Sequence, residues 1–258
     1  MSVTACAELV AAGDPDRFAA TMAAPVAARA VLWPIYAVNL EIARAPWASA
    51  EPMVAEMRLQ WWINTIGELA EGEGQAGHPV TEALLPVLAA RPGIAPLLAG
   101  IAEARRWDCW REPHADEAAF QTYLDRTAGN LMWAAASALG AEGSAEAPVR
   151  DFAAAAGLAA YLRAVPELEA RGCRPLPDGR PDAVGALARA GLARHRAATG
   201  ARHLVPRQAV PALWTGWQAR ALLRQVAAEP GRVADGRMGL SDIARRGGLL
   251  IRAFTGRW

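Results

Sequence analysis

At 258 residues, with 53% hydrophobic and 21% charged side chains, the chain has enough apolar material for a buried core, which excludes intrinsic disorder. Its three cysteines, Cys6, Cys109 and Cys173, are scattered and odd in number; this excludes a disulfide framework and fits a reducing cytoplasm. Net charge is +1, yet residues 1–188 carry 14 Arg against 23 acids and residues 189–258 carry 13 Arg against 3, with no Lys.

Alanine dominates, and β-branched residues rarely alternate at period two, so an all-α fold is expected. The first helical blocks are expected at 16–28 and 31–44. Ser49-Ala50-Glu51-Pro52 then reads as a helix start, with a capping hydroxyl and a proline in the first turn. That helix should reach about residue 70, with a glycine-rich loop over 71–77. Further blocks are expected at 80–90, 94–110, 116–139 (Gly129 as a kink), 148–170, 181–199, 206–228 and 241–254. Neither repeats nor long linkers divide the chain, so one domain over 1–258 is expected. The N-terminus lacks the basic start and apolar stretch of a secretory signal. Uncharged apolar runs fall short of the ~18 residues a membrane span needs, so no span is expected.

The block 51–66 is the most informative. Met53, Met57 and Trp61 recur every fourth residue as an apolar stripe, and Glu56, Gln60 and Asn64 form a polar stripe beside it. Val54, Trp62 and Ile66 complete apolar surroundings that leave little of this helix for water. A polar stripe there calls either for mutually satisfied buried partners or for a solvated cavity.

Asp14-Pro15-Asp16-Arg17-Phe18, Ala24-Pro25, the run from Tyr36 through Asn39-Leu40-Glu41-Ile42-Ala43-Arg44, and Arg58-Leu59-Gln60-Trp61-Trp62 together resemble the squalene/phytoene synthase family. Tyr123 followed by Thr127-Ala128-Gly129-Asn130 is similar to that family's kinked pocket helix. More narrowly, Asn-Leu-Glu-Ile-Ala followed by Arg-Leu-Gln-Trp-Trp resembles a divergent branch. That branch includes the mitochondrial assembly factor for respiratory complex I and its bacterial relatives.

The resemblance implies an isoprenoid-synthase-like helical bundle and, in active members, two aspartate-rich motifs holding Mg²⁺ against a prenyl diphosphate. Here the first motif's positions fall on Ala43, Arg44 and Trp47, none of which ligates magnesium. The second motif aligns without gaps through Arg163, Glu167, Gly172 and Pro177, yet its aspartate positions read Ala164 and Leu168. Pro166 beside them should disturb the helix. The resemblance therefore implies a catalytically degenerate protein with no catalytic residues and no cofactor. By analogy, it would bind a partner in membrane-complex assembly, in respiratory complex I biogenesis. The candidate cavity-lining residues are Tyr36, Asn39, Glu41, Glu56, Gln60, Trp61, Asn64, Tyr123, Asn130, Arg163 and Glu167. Two alternatives stand beside this: a lipid or isoprenoid carrier, and an active head-to-head prenyl transferase whose Mg²⁺ sits on displaced carboxylates, Glu41, Glu56, Glu167 and Glu169.

The basic end admits two readings: pairing with the acidic N-terminal helices, or an anionic partner. On a wheel over 241–258, Ile243, Leu250, Ile251, Phe254 and Trp258 gather on one side, Arg245 and Arg252 lie opposite, and Arg246 and Arg257 flank them. Such a helix suits an anionic membrane surface, hence a cytoplasmic protein peripheral on the inner membrane, or else a final core helix with a solvated arginine face. Most tryptophans in helical blocks are expected in the core. The four histidines are expected on the surface or in loops. No nucleotide or nucleic-acid motif appears, so nucleic acid is not an expected partner.

Overall fold

The computed structural model describes residues 3–73 and 78–258, so most of the expected loop at 71–77 lies outside the described residues. The described chain is all helix and connection, without strands. Helix α1 (Val3–Gly13) precedes the first expected block. Asp14 then caps α2 (Pro15–Met22) by accepting from the Arg17 N–H at 2.9 Å. The break before α3 (Val26–Arg44) comes earlier than expected, because Pro25 is the last residue before the helix and lacks the N–H to continue one.

Helix α3 is the centre of the bundle: Leu32, Ile35, Ala37, Val38 and Ile42 have no exposed surface. With the 3-10 turn Ala45–Trp47 it is long and apolar enough to cross a membrane, contrary to the count of uncharged runs, because its charges sit near its ends. Its burial inside the bundle identifies it as a core helix. Helix α4 (Pro52–Glu71) starts at the expected proline, but the Ser49 hydroxyl accepts from the Glu51 N–H one turn earlier and does not cap the helix. Gly72, at φ 79°, ends it. Helices α5 (Pro79–Ala90) and α6 (Ala95–Trp110) complete the N-terminal half, with α6 packed along α4.

The expected long block at 116–139 is one bent rod. Helix α7 (Glu117–Leu124), capped by Asp116, passes through a π-helical turn at Asp125–Gly129 into α8 (Asn130–Ala138). Pro166 does not interrupt α9 (Glu146–Ala170). The buried Leu158, Leu162 and Val165 hold that turn in an apolar cluster with Val184, Leu187 and Leu222, which offsets the ~3 kcal/mol of an interior proline. Helix α10 (Pro181–Gly200) returns along α9. The expected helix 206–228 is broken instead: a 3-10 turn leads into α11 (Val210–Leu213), a second turn covers Trp214–Gly216, and α12 (Ala219–Ala228) follows. The break lets Gly216 press onto α9, where a Cβ would stand 2.6 Å from Phe152. Ser241 caps the last helix, α13 (Asp242–Thr255).

Candidate functional site

A cavity of about 310 Å³ opens where α3, α6, the π turn and α9 converge, the size of a small-ligand pocket. The wall from α9 is cut small by Ala153, Ala156, Gly157, Ala160 and Ala164. Gly157 permits this packing, since a Cβ there would lie 2.5 Å from the Ala128 Cβ in the π turn. Tyr36 and Asn39 of α3, both buried, face the cavity, as does Tyr123 of α7.

Its polar end is built by α6. The Tyr123 hydroxyl donates to Asp108 at 2.9 Å, and the Arg105 guanidinium donates to the same carboxylate at 2.9 Å. Burial pushes the Asp108 carboxyl above its ordinary range, opposed by Arg105 and by the Tyr123 hydrogen bond. Burial likewise drives the Tyr123 and Tyr161 phenols up, so both remain protonated. Beside them Trp107 stacks on His114 with ring centroids 3.8 Å apart. Burial lowers His114 to about 4; it lies in a loop, as expected, yet is only 6% exposed. Of this constellation sequence reasoning had only Tyr123; the signal for the rest was the i, i+3 pair Arg105/Asp108 on the expected block 94–110.

Positions from both expected motif regions line this cavity: Trp47 from the first, Ala164 and Leu168 from the second. The Arg171 guanidinium lies 4.8 Å from the Trp47 ring centroid and pairs with Glu167, so a cation–π contact joins the two motif regions. Ala43 and Arg44 lie outside the wall, and Arg44 pairs with Glu41 at 3.5 Å.

The remaining candidates do not line the cavity. Buried Ala55, Leu59, Trp62 and Ile66 turn the α4 stripe of Glu56, Gln60 and Asn64 away from it, and Met53, Met57 and Trp61 are exposed, Met53 and Met57 at 70%. The helix is thus half solvated, against expectation. Glu56 accepts from the Trp110 indole at 3.0 Å; Gln60 bonds Asn64 at 2.6 Å and accepts from Arg106. Trp61 packs edge-on against Trp62 and His78. Asn130 is satisfied by the Leu97 carbonyl at 3.3 Å and by Arg150 at 3.2 Å, and exposed Arg163 pairs with Asp16 at 3.1 Å.

Magnesium does not fit this donor set. Among the described residues, Asp108 is the one carboxylate in the cavity wall, and it is already bound by Arg105 and Tyr123. No group of three His, Cys, Asp or Glu stands close enough to hold a metal among the described residues, and Glu41, Glu56 and Glu167 are held in the contacts above.

The C-terminal helix departs from expectation in its orientation. Trp258 is 7% exposed and packs edge-on against Phe152 at 4.9 Å, so it is a core plug and not a surface anchor. Indoles clamp both ends of the segment: Trp217 donates to the Arg245 carbonyl at 3.1 Å and Trp214 to the Arg257 carbonyl at 3.0 Å. Arg245 pairs with Asp16 at 3.3 Å, and Arg252 is half-buried against the body. The apolar Ile243, Leu250, Ile251 and Phe254 instead face solvent, Phe254 at 91%, with Arg246 exposed beside them. His195, expected on the surface, is buried against Phe152.

A squalene/phytoene synthase family model matches residues 10–186, so the chain belongs to that family. The fold agrees with a solved structure, a dehydrosqualene synthase in complex with ligand, at a TM-score of 0.79 and 16% identity, over 98% of this chain and 95% of that one. No curated protein matches the sequence.

Proposed function

We propose that this chain is a catalytically silent member of its family, retained as a binding and assembly factor. The observation that carries the reading is the cavity wall: where metal-held diphosphate chemistry needs facing carboxylates, Trp47, Ala164 and Leu168 stand, and Asp108 is committed to Arg105 and Tyr123. A fold outlives its site, because function resides in the site. The resemblance of the Asn39–Ala43 and Arg58–Trp62 stretches to the complex I assembly branch supplies the process by analogy. The partner would then be a protein of the assembling membrane complex. Calorimetry with farnesyl and geranylgeranyl diphosphate, with and without Mg²⁺ and followed by product analysis, tests this. The expected result is no magnesium-dependent turnover; turnover would restore the transferase reading.

A second reading, a carrier for an isoprenoid or lipid, is favoured by the 310 Å³ cavity and its alanine and glycine wall. Lipid co-purifying with the protein, and normal complex I in a deletion strain, would single out the carrier.

Peripheral attachment to an anionic inner-membrane surface is supported by the outward apolar face of α13, with Arg246 at its edge. Truncation would remove the Trp258 plug as well, so point changes are the cleaner probe. Replacing Leu250, Ile251 and Phe254 by serine should abolish flotation with anionic liposomes; undiminished flotation would end the membrane reading.

A further inference from the structure

The basic end holds a second, differently built pocket of about 260 Å³ between α10, α12 and α13. Arg196 and Arg202 enter it from α10 and the turn after it, Arg220 and Arg224 from α12, and Arg252 from α13. Thr199 and the buried His195 complete the polar lining, and no Asp or Glu lines it. Some arginines of this segment outside the pocket do have carboxylates: Arg194 pairs with Asp151 at 2.9 Å, Arg232 with Glu229 at 2.7 Å, and Arg237 with Glu229 and Asp235. Asp242 pairs with Arg245 at 3.0 Å, so all three acids of residues 189–258 are engaged outside the pocket. Among the described residues, none of the five pocket arginines forms an ion pair. Two of them donate to backbone, Arg202 to the Thr199 carbonyl at 2.8 Å and Arg252 to the Gly248 carbonyl at 3.0 Å.

Gathering five like charges around one concavity raises the energy of the empty fold. Arg220 and Arg224 even form an i, i+4 like-charge pair, which weakens a helix. Such an arrangement is stabilised by an anion, and guanidinium forks match the paired oxygens of phosphate. The pocket exceeds the roughly 30 Å³ that one water occupies in the liquid many times over, which leaves room for a phosphate group and what it is attached to. We infer that this pocket is a binding site for a phosphate-bearing anion, built by Arg196, Arg202, Arg220, Arg224 and Arg252. The site is separate from the central cavity and does not depend on the function proposed for it. His195 agrees with the geometry: burial, then the charges of Arg220, Arg252, Arg202 and Arg224, hold it down to about 4.

The test uses the full chain and a double variant, Arg220→Gln with Arg224→Gln, both on the exposed side of α12. Arg232→Gln, which alters a paired arginine, serves as the control. Calorimetry with inorganic pyrophosphate at constant ionic strength should show saturable binding. That binding should be weakened about tenfold or more in the double variant, as loss of charge-assisted bonds requires, and kept in the control. Flotation on phosphatidylcholine vesicles with and without phosphatidic acid forms the second arm. Binding to pyrophosphate alone assigns a soluble anion; binding to phosphatidic acid vesicles alone, lost in the double variant, assigns a lipid headgroup; both together assign their shared chemistry. Silence in both arms overturns the inference. So does binding unchanged in the double variant, or a pyrophosphate effect reproduced by chloride.

Discussion

The central cavity and the C-terminal pocket are both lined by arginines, and they differ in what answers those charges. Around the cavity Arg105 meets Asp108 at 2.9 Å and Arg17 meets Asp14 at 3.1 Å, while Arg111 reaches the Arg171 carbonyl. In the C-terminal pocket, five arginines share a wall with no carboxylate at all. A charge with a built-in partner is part of the fold, whereas a cluster without one is prepared for something outside it. On the readings proposed above, the cavity does not hold a polyphosphate through metal, and the basic end offers a metal-free means of holding one.

The sharpest way to break that contrast is to unpair the cavity. Asp108→Ala leaves the partly buried Arg105 without its carboxylate and the Tyr123 hydroxyl without its acceptor, and should cost about 3 kcal/mol in urea unfolding. A cost near zero would mean that the cavity charges are no better matched than those of the pocket. Next in size is Trp258→Ala. Its 7% exposure and its contact with Phe152 predict a loss of about 3 kcal/mol by the same measurement, because a buried aromatic is removed. Phe254→Ala, at 91% exposure on the same segment, should stay within about 0.5 kcal/mol. Equal effects of the two would dismantle the division of α13 into a docked face and a free one.

Much of the fold was legible in the sequence, less of the two sites, and what was missed has a physical pattern. The helical blocks followed from alanine content and from breakers, and the motif positions Trp47, Ala164 and Leu168 line the cavity. The stripes of α4 misled because periodicity gives faces without saying which face is inward. Leu59 and Trp62 won the core, and Gln60 and Trp61 went to solvent. The wheel of α13 erred in a related way. It set Arg245 and Arg252 opposite the buried side, yet Arg245 turns inward to Asp16, as the reading of a basic end paired with acidic N-terminal helices had it, and Arg252 turns to the pocket. Asp108 with Tyr123, and the five arginines, each join different helices, and no spacing along the chain announces such clusters.

The smaller effects probe the pocket directly. Arg220→Gln with Arg224→Gln should leave the chain as stable or more stable, by about 0.5 kcal/mol at low salt, with the gain fading as salt screens the repulsion. Destabilisation would mean that the arginines have partners after all.

The most specific signal is the titration of His195. Burial and the neighbouring arginines hold it at about 4, below the 6.5 of a free imidazole. The unfolded chain therefore binds more protons between those values, so stability rises with pH across that window. The contribution is complete above about 6.5 and is lost as pH falls through 4. His114, also held to about 4, adds a slope of the same sign, so His195→Gln should flatten the pH dependence of the unfolding midpoint without abolishing it. In the arginine double variant the imidazole should titrate higher, but short of 6.5, since burial is the larger cause. Pyrophosphate should move it the same way in the parent chain and leave it unmoved in the variant. Following the His195 ring protons by NMR thus reads the pocket's field from inside. A His195 that ignores both the substitutions and the anion would show that those arginines are already neutralised, and the contrast between the two regions would go with it.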